Sequence, residues 1–217
     1  MKRQKFPIVK MLFLSIFMLY AGLPMAQTFE HFEFDTTTWV FPEKYQIVEF
    51  EGKHSLLLER SSFNDYSGYC AYLKGYDFSD GIIEFDLFCP EITPVFSSGV
   101  GFVFRLTTYN EENRYEVFYF RTHLSNAMRS VQYMPVNNGT INWTNYVDFV
   151  YNSIGDIPSN EWVHIKAEIE GPRAVVYVND KEVMTVNNLG RGLSDGSAGV
   201  WLGNTVKCYY TDFKVAK

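Results

Sequence analysis

The chain has 217 residues and a formal net charge of −6 at pH 7, and 18% of its side chains are aromatic. This length is enough for one well-buried domain and short for two. The acidic balance, with no stripe rich in Lys and Arg, argues against nucleic acid as a partner, because a negative field repels phosphate groups.

The first 26 residues have the layout of a secretory signal peptide. Three basic side chains lie in residues 1–5, an uncharged apolar run covers 11–23, and the short stretch 24–26 ends on Ala26. The run is shorter than the ~20 residues of a transmembrane helix. We expect cleavage after Ala26 and a secreted, periplasmic or cell-surface protein without a transmembrane anchor; the alternative is an uncleaved anchor. Cleavage removes four basic residues and changes the formal net charge from −6 to −10.

Residues 27–217 are predicted to form a single all-β domain. Apolar and polar side chains alternate with period two from Phe29 onward, and no window has the spacing of an amphipathic helix. Turn signals such as Asp80-Gly81 and Asp195-Gly196 divide the strands at short intervals, which is typical of a sandwich or barrel. The clearest predicted strands are 55–60, 68–74, 81–88, 99–107, 114–121, 161–170, 173–179, 198–203 and 206–215.

The alternation also predicts which side chains face the core. In strand 99–107 the apolar residues alternate regularly, so Arg105 should point away from the core. Strand 114–121 carries large apolar groups on both faces, so both faces must be at least partly covered. We assign Phe118 and Phe120 to the core. The side chains that then face a groove on the other side are Tyr115, Tyr119 and Arg121.

The stretch from 121 to 143 combines planar polar groups with aromatic rings. Sugars are bound by such polar groups through paired hydrogen bonds, and aromatic faces cover the apolar side of the sugar ring. Loops commonly carry function, and the alternative is an ordinary loop in which Asn and Gly make turns. The candidate ligand-binding residues are Arg105, Tyr119, Arg121, His123, Gln132, Tyr133, Asn137, Asn138 and Trp143.

Two parts of the chain resemble known proteins. Residues 161–166, Glu-Trp-Val-His-Ile-Lys, with Gly171 and the hairpin 175–180, resemble laminin-G-like domains of the concanavalin A-like lectin/glucanase superfamily. Residues 115–123 and 131–139 resemble an exported bacterial subgroup related to the keto-disaccharide hydrolase domain, in which Arg-Pro-His is usual where Thr122 replaces the proline here. The resemblance implies a two-sheet antiparallel jelly-roll sandwich. It implies no catalytic residue.

The pair Glu84 and Asp86 invites comparison with the Glu-x-Asp-x-x-Glu strand of retaining β-glucanases on the same fold. Such enzymes need two carboxylates about 5 Å apart on one strand face. Here Glu91 comes one position late and lies beyond Pro90, so the alternation is broken. We interpret Glu84 and Asp86 as a solvent-facing pair on an outer strand.

The histidines and cysteines predict no metal site. The four His residues are isolated in sequence, so no metal and no cofactor are expected. Three cysteines in an exported chain leave at least one unpaired. The fold resemblance implies that the strands carrying Cys89 and Cys208 are neighbours, so these two could form a disulfide and leave Cys70 free and buried. The alternative is three reduced thiols.

Together, the resemblance and the polar stretch predict an exported domain that binds an oligosaccharide or polysaccharide on a concave face through aromatic, Arg and amide side chains. One alternative is a glycoside hydrolase or lyase on the same scaffold, using Arg121, His123, Tyr133 and a carboxylate such as Glu116. Another is a structural or protein-interaction module of the cell envelope. Whether the groove is open would separate these hypotheses.

Overall fold

The computed structural model describes residues 27–60, 68–90, 99–109, 112–137, 140–141, 149–190, 195–205 and 207–217. The predicted signal peptide lies outside these residues, as do Asn138 and Trp143. Across the described ranges, no helix is long and apolar enough to cross a membrane.

The described residues form sixteen β-strands and two short 3-10 helices, at Thr122–Leu124 and Phe149–Tyr151. The strands are β1 (Glu30–His31), β2 (Trp39–Val40), β3 (Tyr45–Phe50), β4 (Lys53–Glu59), β5 (Tyr69–Leu73), β6 (Gly81–Phe88), β7 (Val100–Tyr109), β8 (Glu112–Phe120), β9 (Val131–Asn137), β10 (Thr140–Ile141), β11 (Asn152–Ser153), β12 (Trp162–Glu170), β13 (Arg173–Val178), β14 (Lys181–Val186), β15 (Ser197–Leu202) and β16 (Lys207–Ala216).

These strands form two antiparallel sheets. Sheet A has the order β14-β13-β12-β6-β16-β4-β3, with β1 added on β16. Sheet B has the order β10-β9-β8-β7-β15-β5-β2, with β11 added on β9. The chain crosses from one sheet to the other at eight of the connections between successive strands: β1–β2, β2–β3, β4–β5, β5–β6, β6–β7, β11–β12, β14–β15 and β15–β16. The predicted two-sheet antiparallel sandwich is confirmed.

The main core lies between the two sheets and follows the alternation of the sequence. Phe85 of β6 projects from sheet A and meets Phe102 of β7 from sheet B, with ring centroids 5.9 Å apart. Phe118 and Phe120 of β8 also lie in this core and are fully buried, as the alternation predicts. Burial of each such side chain contributes roughly 1.5–3 kcal/mol to stability.

Of the strands longer than two residues, β3, β9 and β14 were not among the clearest predicted ones. Strand β9 contains Pro135, which cannot donate to a ladder and therefore argues against a central strand. On the side of β9 away from β8, β10 pairs with Val136 and Asn137, and β11 pairs with Val131 and Gln132. Pro135 lies between these two short pairings, so its missing N–H disrupts neither of them.

The three cysteines are buried free thiols. Cys89 directly follows β6, and Cys208 lies in the neighbouring strand β16, where Tyr209 pairs with Phe88. The predicted adjacency is present, and Cys208 lowers the pKa of Cys89, although no disulfide joins the two thiols. Cys70 lies in sheet B, apart from this pair.

Candidate functional site

The outer face of sheet B, turned away from the main core, carries a second apolar cluster. It exists because β8 has large side chains on both faces: Phe118 faces the main core, whereas Tyr115 and Tyr119 face outward. This second cluster consists of Cys70, Val103, Leu106, Tyr115, Val117, Tyr119, Met134, Val136 and Trp201, with Tyr72 packed against it.

Three predicted site residues meet at the rim of this face. Tyr119 and Gln132 are cross-strand partners on β8 and β9. Arg121 directly follows β8 and donates from Nη1 to Gln132 Oε1 at 2.8 Å and from Nη2 to the Tyr119 hydroxyl at 2.9 Å. The Tyr119 hydroxyl in turn donates to Gln132 Oε1. Arg121 Nη1 also donates to the carbonyl of Arg129 at 2.8 Å, so the guanidinium is held on both sides. We call Tyr119, Arg121 and Gln132 the rim network.

Burial favours the neutral form of both titratable groups in the rim network, yet Arg121 stays charged because its usual pKa is very high. Desolvation raises the pKa of Tyr119 well above its usual range, although the charge of Arg121 opposes this shift. Desolvation lowers the pKa of Arg121 from its very high usual value. The next residue but one, His123, has its pKa lowered by partial burial and by the Arg121 charge. At neutral pH the rim therefore presents one fixed positive charge beside a neutral imidazole.

Trp201 and Tyr115 extend the rim network into an aromatic layer. The Trp201 ring lies 5.5 Å from the ring of Tyr119, and its Nε1 donates to the Tyr115 hydroxyl at 3.3 Å. Three glycines pack around the indole: an added Cβ would lie 1.7 Å from Trp201 at Gly68, 2.4 Å at Gly203 and 3.4 Å at Gly99. Sequence reasoning missed Trp201, and these glycines at strand ends were the signal that could have found it.

The outer face of sheet B is closed rather than open. Tyr119 is fully buried, Trp201 is 1% exposed and Gln132 is 3% exposed. Arg121 is 8% exposed, and His123 beside it is half-buried. The side chains assigned to a groove therefore form a packed layer, and among the described residues solvent reaches this layer at the rim and at half-buried Tyr72.

Arg105 does not point away from the core, contrary to the sequence-based expectation. The pairing of β7 with β8 shifts between Phe104 and Thr107, so one extra residue is inserted in β7. Arg105 has a φ of 52° in this bulge. A bulge reverses the alternation locally and re-aims a side chain, and the residue types give no sign of it.

The Arg105 side chain instead ties sheet B to the end of sheet A. Its guanidinium pairs with Glu116 at 3.3 Å and with Asp80 at 3.1 Å. It also donates to the carbonyl of Ser79 at 2.9 Å and to that of Gly171 at 2.7 Å. These partners within the protein balance the charge of Arg105 and accept its hydrogen bonds, so Arg105 acts as an internal cross-link between the two sheets.

Glu116 and Tyr133 lie on the core face of sheet B. Glu116 is fully buried, and desolvation raises the pKa of its carboxyl to about 7, against the opposing effects of Arg105, the Tyr133 hydroxyl and the Gly190 backbone. The Tyr133 hydroxyl accepts from the Gly190 N–H, and its ring lies 5.0 Å from Phe118. Glu116 and Tyr133 are thus separated by the sheet itself from Arg121 and His123.

The remaining predicted residues are not brought to the rim. Asn137 is exposed at the opposite end of β9 from Gln132. Asn138 and Trp143 lie outside the described residues. The structure therefore brings together Tyr119, Arg121 and Gln132 with His123 beside them.

The outer face of sheet A carries a row of paired charges. Asp86 accepts from Lys53 Nζ and interacts with His164 Nδ1, each at 2.8 Å, and Glu84 pairs with Lys214 at 2.9 Å. Glu84 and Asp86 are thus a charge-compensated pair on the outer face of sheet A, as interpreted from the sequence, but β6 is a central strand of this sheet and not an outer one. Among the described residues, no group of three or more His, Cys, Asp or Glu side chains could hold a metal ion.

Comparison with known proteins identifies the fold. No family model matches the sequence, and no curated protein matches it. The carbohydrate-binding module CBM66 from Bacillus subtilis is similar in structure, with 16% identity, coverage of 82% of this chain and 95% of that one, and a TM-score of 0.59. A Bacillus licheniformis β-glucanase has 12% identity, coverage of 90% and 99%, and a TM-score of 0.53. The carbohydrate recognition domain of Emp46p has 11% identity, coverage of 83% and 88%, and a TM-score of 0.52. The fold is a concanavalin A-like jelly roll, which confirms the fold that the resemblance implied.

Proposed function

We propose that this chain is an exported carbohydrate-binding domain whose oligosaccharide or polysaccharide ligand contacts the rim network. The observation that carries the proposal is that the Tyr119 hydroxyl, the Arg121 guanidinium and the Gln132 amide are hydrogen-bonded to one another beside the ring of Trp201. Planar polar groups with an aromatic neighbour are the recognition chemistry that sugars require.

The rim network is ordered before any ligand arrives. The Arg121 guanidinium is held by Tyr119, Gln132 and the Arg129 carbonyl, and it also lies 4.7 Å above the Tyr119 ring. Ordering a mobile side chain on binding costs about 0.5–1.5 kcal/mol, so a fixed network saves that free energy. Preorganisation of this kind helps to offset the cost of removing water from the hydroxyl groups of a glycan.

Access to the rim network is from its edge, because the rest of the face is closed. Arg121 and half-buried His123 form the part that solvent reaches, and Arg129 beside them is exposed. We therefore expect the ligand to lie across the end of sheet B rather than along its face. Asn138 and Trp143, which lie outside the described residues, stay predicted contacts, whereas Asn137 lies too far along β9 to reach a ligand at the rim.

Two known solved structures with the same fold support this choice of ligand class, since one is named as a carbohydrate-binding module and one as a carbohydrate recognition domain. The hydrolase alternative lacks a shared cavity for its proposed residues, because Glu116 faces the core while Arg121 faces outward. The second candidate is a structural or protein-interaction module, which the closed outer face of sheet B favours.

A pair of matched variants tests the proposal. Tyr119→Phe and Tyr133→Phe each remove one buried hydroxyl, but from opposite faces of sheet B. Calorimetry of the mature protein against plant, algal and host glycans would identify a ligand. We expect Tyr119→Phe to weaken its binding by about tenfold, because it removes the buried hydrogen bond that positions Arg121 Nη2, and Tyr133→Phe to change it by less than twofold.

The outcomes are distinct. Equal losses in the two variants, or a loss only in Tyr133→Phe, would place the ligand away from the rim network. No binding to any glycan, together with capture of a defined envelope protein that Arg121→Lys abolishes, would favour the interaction module.

A further inference from the structure

Sheet A has a local opening next to β6, where the pairing of β16 with its neighbouring strands is interrupted. Strand β16 pairs with β4 from Lys207 to Tyr210 and with β1 at Lys214 and Val215. Between these pairings the register of β16 against β6 shifts, and Asp212 adopts a φ of 52°. Non-glycine residues rarely adopt this conformation, and bulges of this kind are frequent beside ligand sites.

A cavity of about 340 Å³ lies at this opening. Polar side chains line its wall: β1 and the segment after it contribute His31 and Glu33, and β4 contributes Lys53 and His54. Asp86 of β6 and Asp212 of the bulge complete the wall. Phe34 and Phe213, which are both buried, form an apolar floor. This size is at the lower end of the range for small-molecule sites.

The charges of the wall decide which ligands it suits. Lys53 is neutralised by Asp86 at 2.8 Å, and the carboxylates of Glu33 and Asp212 also line the wall. An anion would therefore meet an excess of negative charge. The described residues also lack a cluster that could hold a metal ion.

A neutral polyol suits this wall best. Each hydroxyl group can donate to a carboxylate and accept from Lys53 or an imidazole, so a mixed wall satisfies it on both sides. The apolar floor matches the C–H face of a sugar ring. In addition, Lys53 Nζ lies 4.7 Å above the ring of Trp162, and that ring packs with Phe50 and Phe88 in a partly exposed aromatic cluster.

We propose that this cavity is a second sugar-binding site, one that accepts a single uncharged sugar residue and directs the rest of an oligosaccharide towards Trp162. The site is on the outer face of sheet A and shares no residue with the rim network on sheet B. It therefore stands independently of the proposed function of that network.

Three of the four histidines provide separate reporters for the two sites. His31 and His54 line the cavity, whereas His123 lies beside the rim network. The imidazole C–H signals of the mature protein would be followed by NMR during titration with the methyl glycosides of glucose, galactose, mannose and N-acetylglucosamine, and with fructose. Concentrations of about 50 mM exceed the millimolar dissociation constants of a weak site.

We expect at least one probe to shift the His31 and His54 signals in a saturable way. Asp212→Gly removes a wall carboxylate at a φ that glycine adopts freely, and it should weaken this binding by about tenfold. Lys166→Gln, a change on the same sheet face next to Glu168, should leave it unchanged. Shifts at His123 alone would support the rim network and refute the cavity site. No shift at His31 and His54 with any probe, or equal affinity in wild type and Asp212→Gly, would also refute it.

Discussion

Replacement of Glu116 by Gln should change how the stability of the protein depends on pH. Glu116 is fully buried, and desolvation raises its pKa from 4.5 to about 7 despite the nearby Arg105. Between pH 4.5 and pH 7 the folded state therefore binds a proton that the unfolded state has lost. The contribution of Glu116 to stability is fully present below pH 4.5 and is lost as the pH rises to 7.

The size of the effect follows from the same two values. A pKa difference of this order corresponds to about 3 kcal/mol, at 1.36 kcal/mol for each unit. Glutamine mimics the protonated carboxyl at every pH and removes this titration. The free energy of unfolding of Glu116→Gln, relative to wild type, should therefore rise by up to about 3 kcal/mol from pH 4 to pH 8.

Urea unfolding, followed by tryptophan fluorescence at pH steps from 4 to 8, would measure this difference. Titration of His123 and His164 occurs in both proteins and cancels in the comparison. Glu168→Gln is the matched control: the pKa of Glu168 is lowered by Lys166, so its contribution is lost only as the pH falls below 4.5. A difference for Glu116→Gln that is flat between pH 4.5 and pH 7, or that falls, would mean that Glu116 is an ionised partner of Arg105 throughout.

Two further predictions concern the core and the thiols. Phe120→Ala should lower the free energy of unfolding by ~3–5 kcal/mol, because it leaves a cavity at a fully buried site. Ile47→Ala, at a 36% exposed position, should lower it far less. Equal losses would show that the faces of β8 are assigned wrongly. Treatment of the protein with oxidised glutathione should form a disulfide between Cys89 and Cys208 and leave Cys70 free, because the first two thiols are in contact. Peptide mass spectrometry would check this result. Three alkylatable thiols after denaturation would contradict it.

Alternation of side chains was sufficient to predict the sandwich and the two faces of β8, because strand period is a local property. It placed Phe118 in the main core and Tyr119 on the opposite face, as the structure has them. Arg105 was assigned to the wrong side because a bulge adds one residue without a mark in the sequence. Tyr133 was grouped with the rim residues, but it lies in β9 on the core face.

The rim network could be predicted only in part. Arg121 and Gln132 were found because planar polar side chains near aromatic residues are visible in the sequence. Trp201 was missed because every residue of β15 is buried, so no alternation distinguishes its two faces. Closure of the outer face of sheet B could not be predicted either, since it depends on contacts between residues far apart in the chain.

The position of β16 has a consequence for the order in which the protein can assemble. This strand, residues 207–216, lies in the middle of sheet A between β6 and β4, and it also holds β1. A growing chain that does not yet include residues 207–216 therefore lacks the strand that joins the two halves of sheet A. The two halves of sheet A can therefore be joined only when this last strand is available.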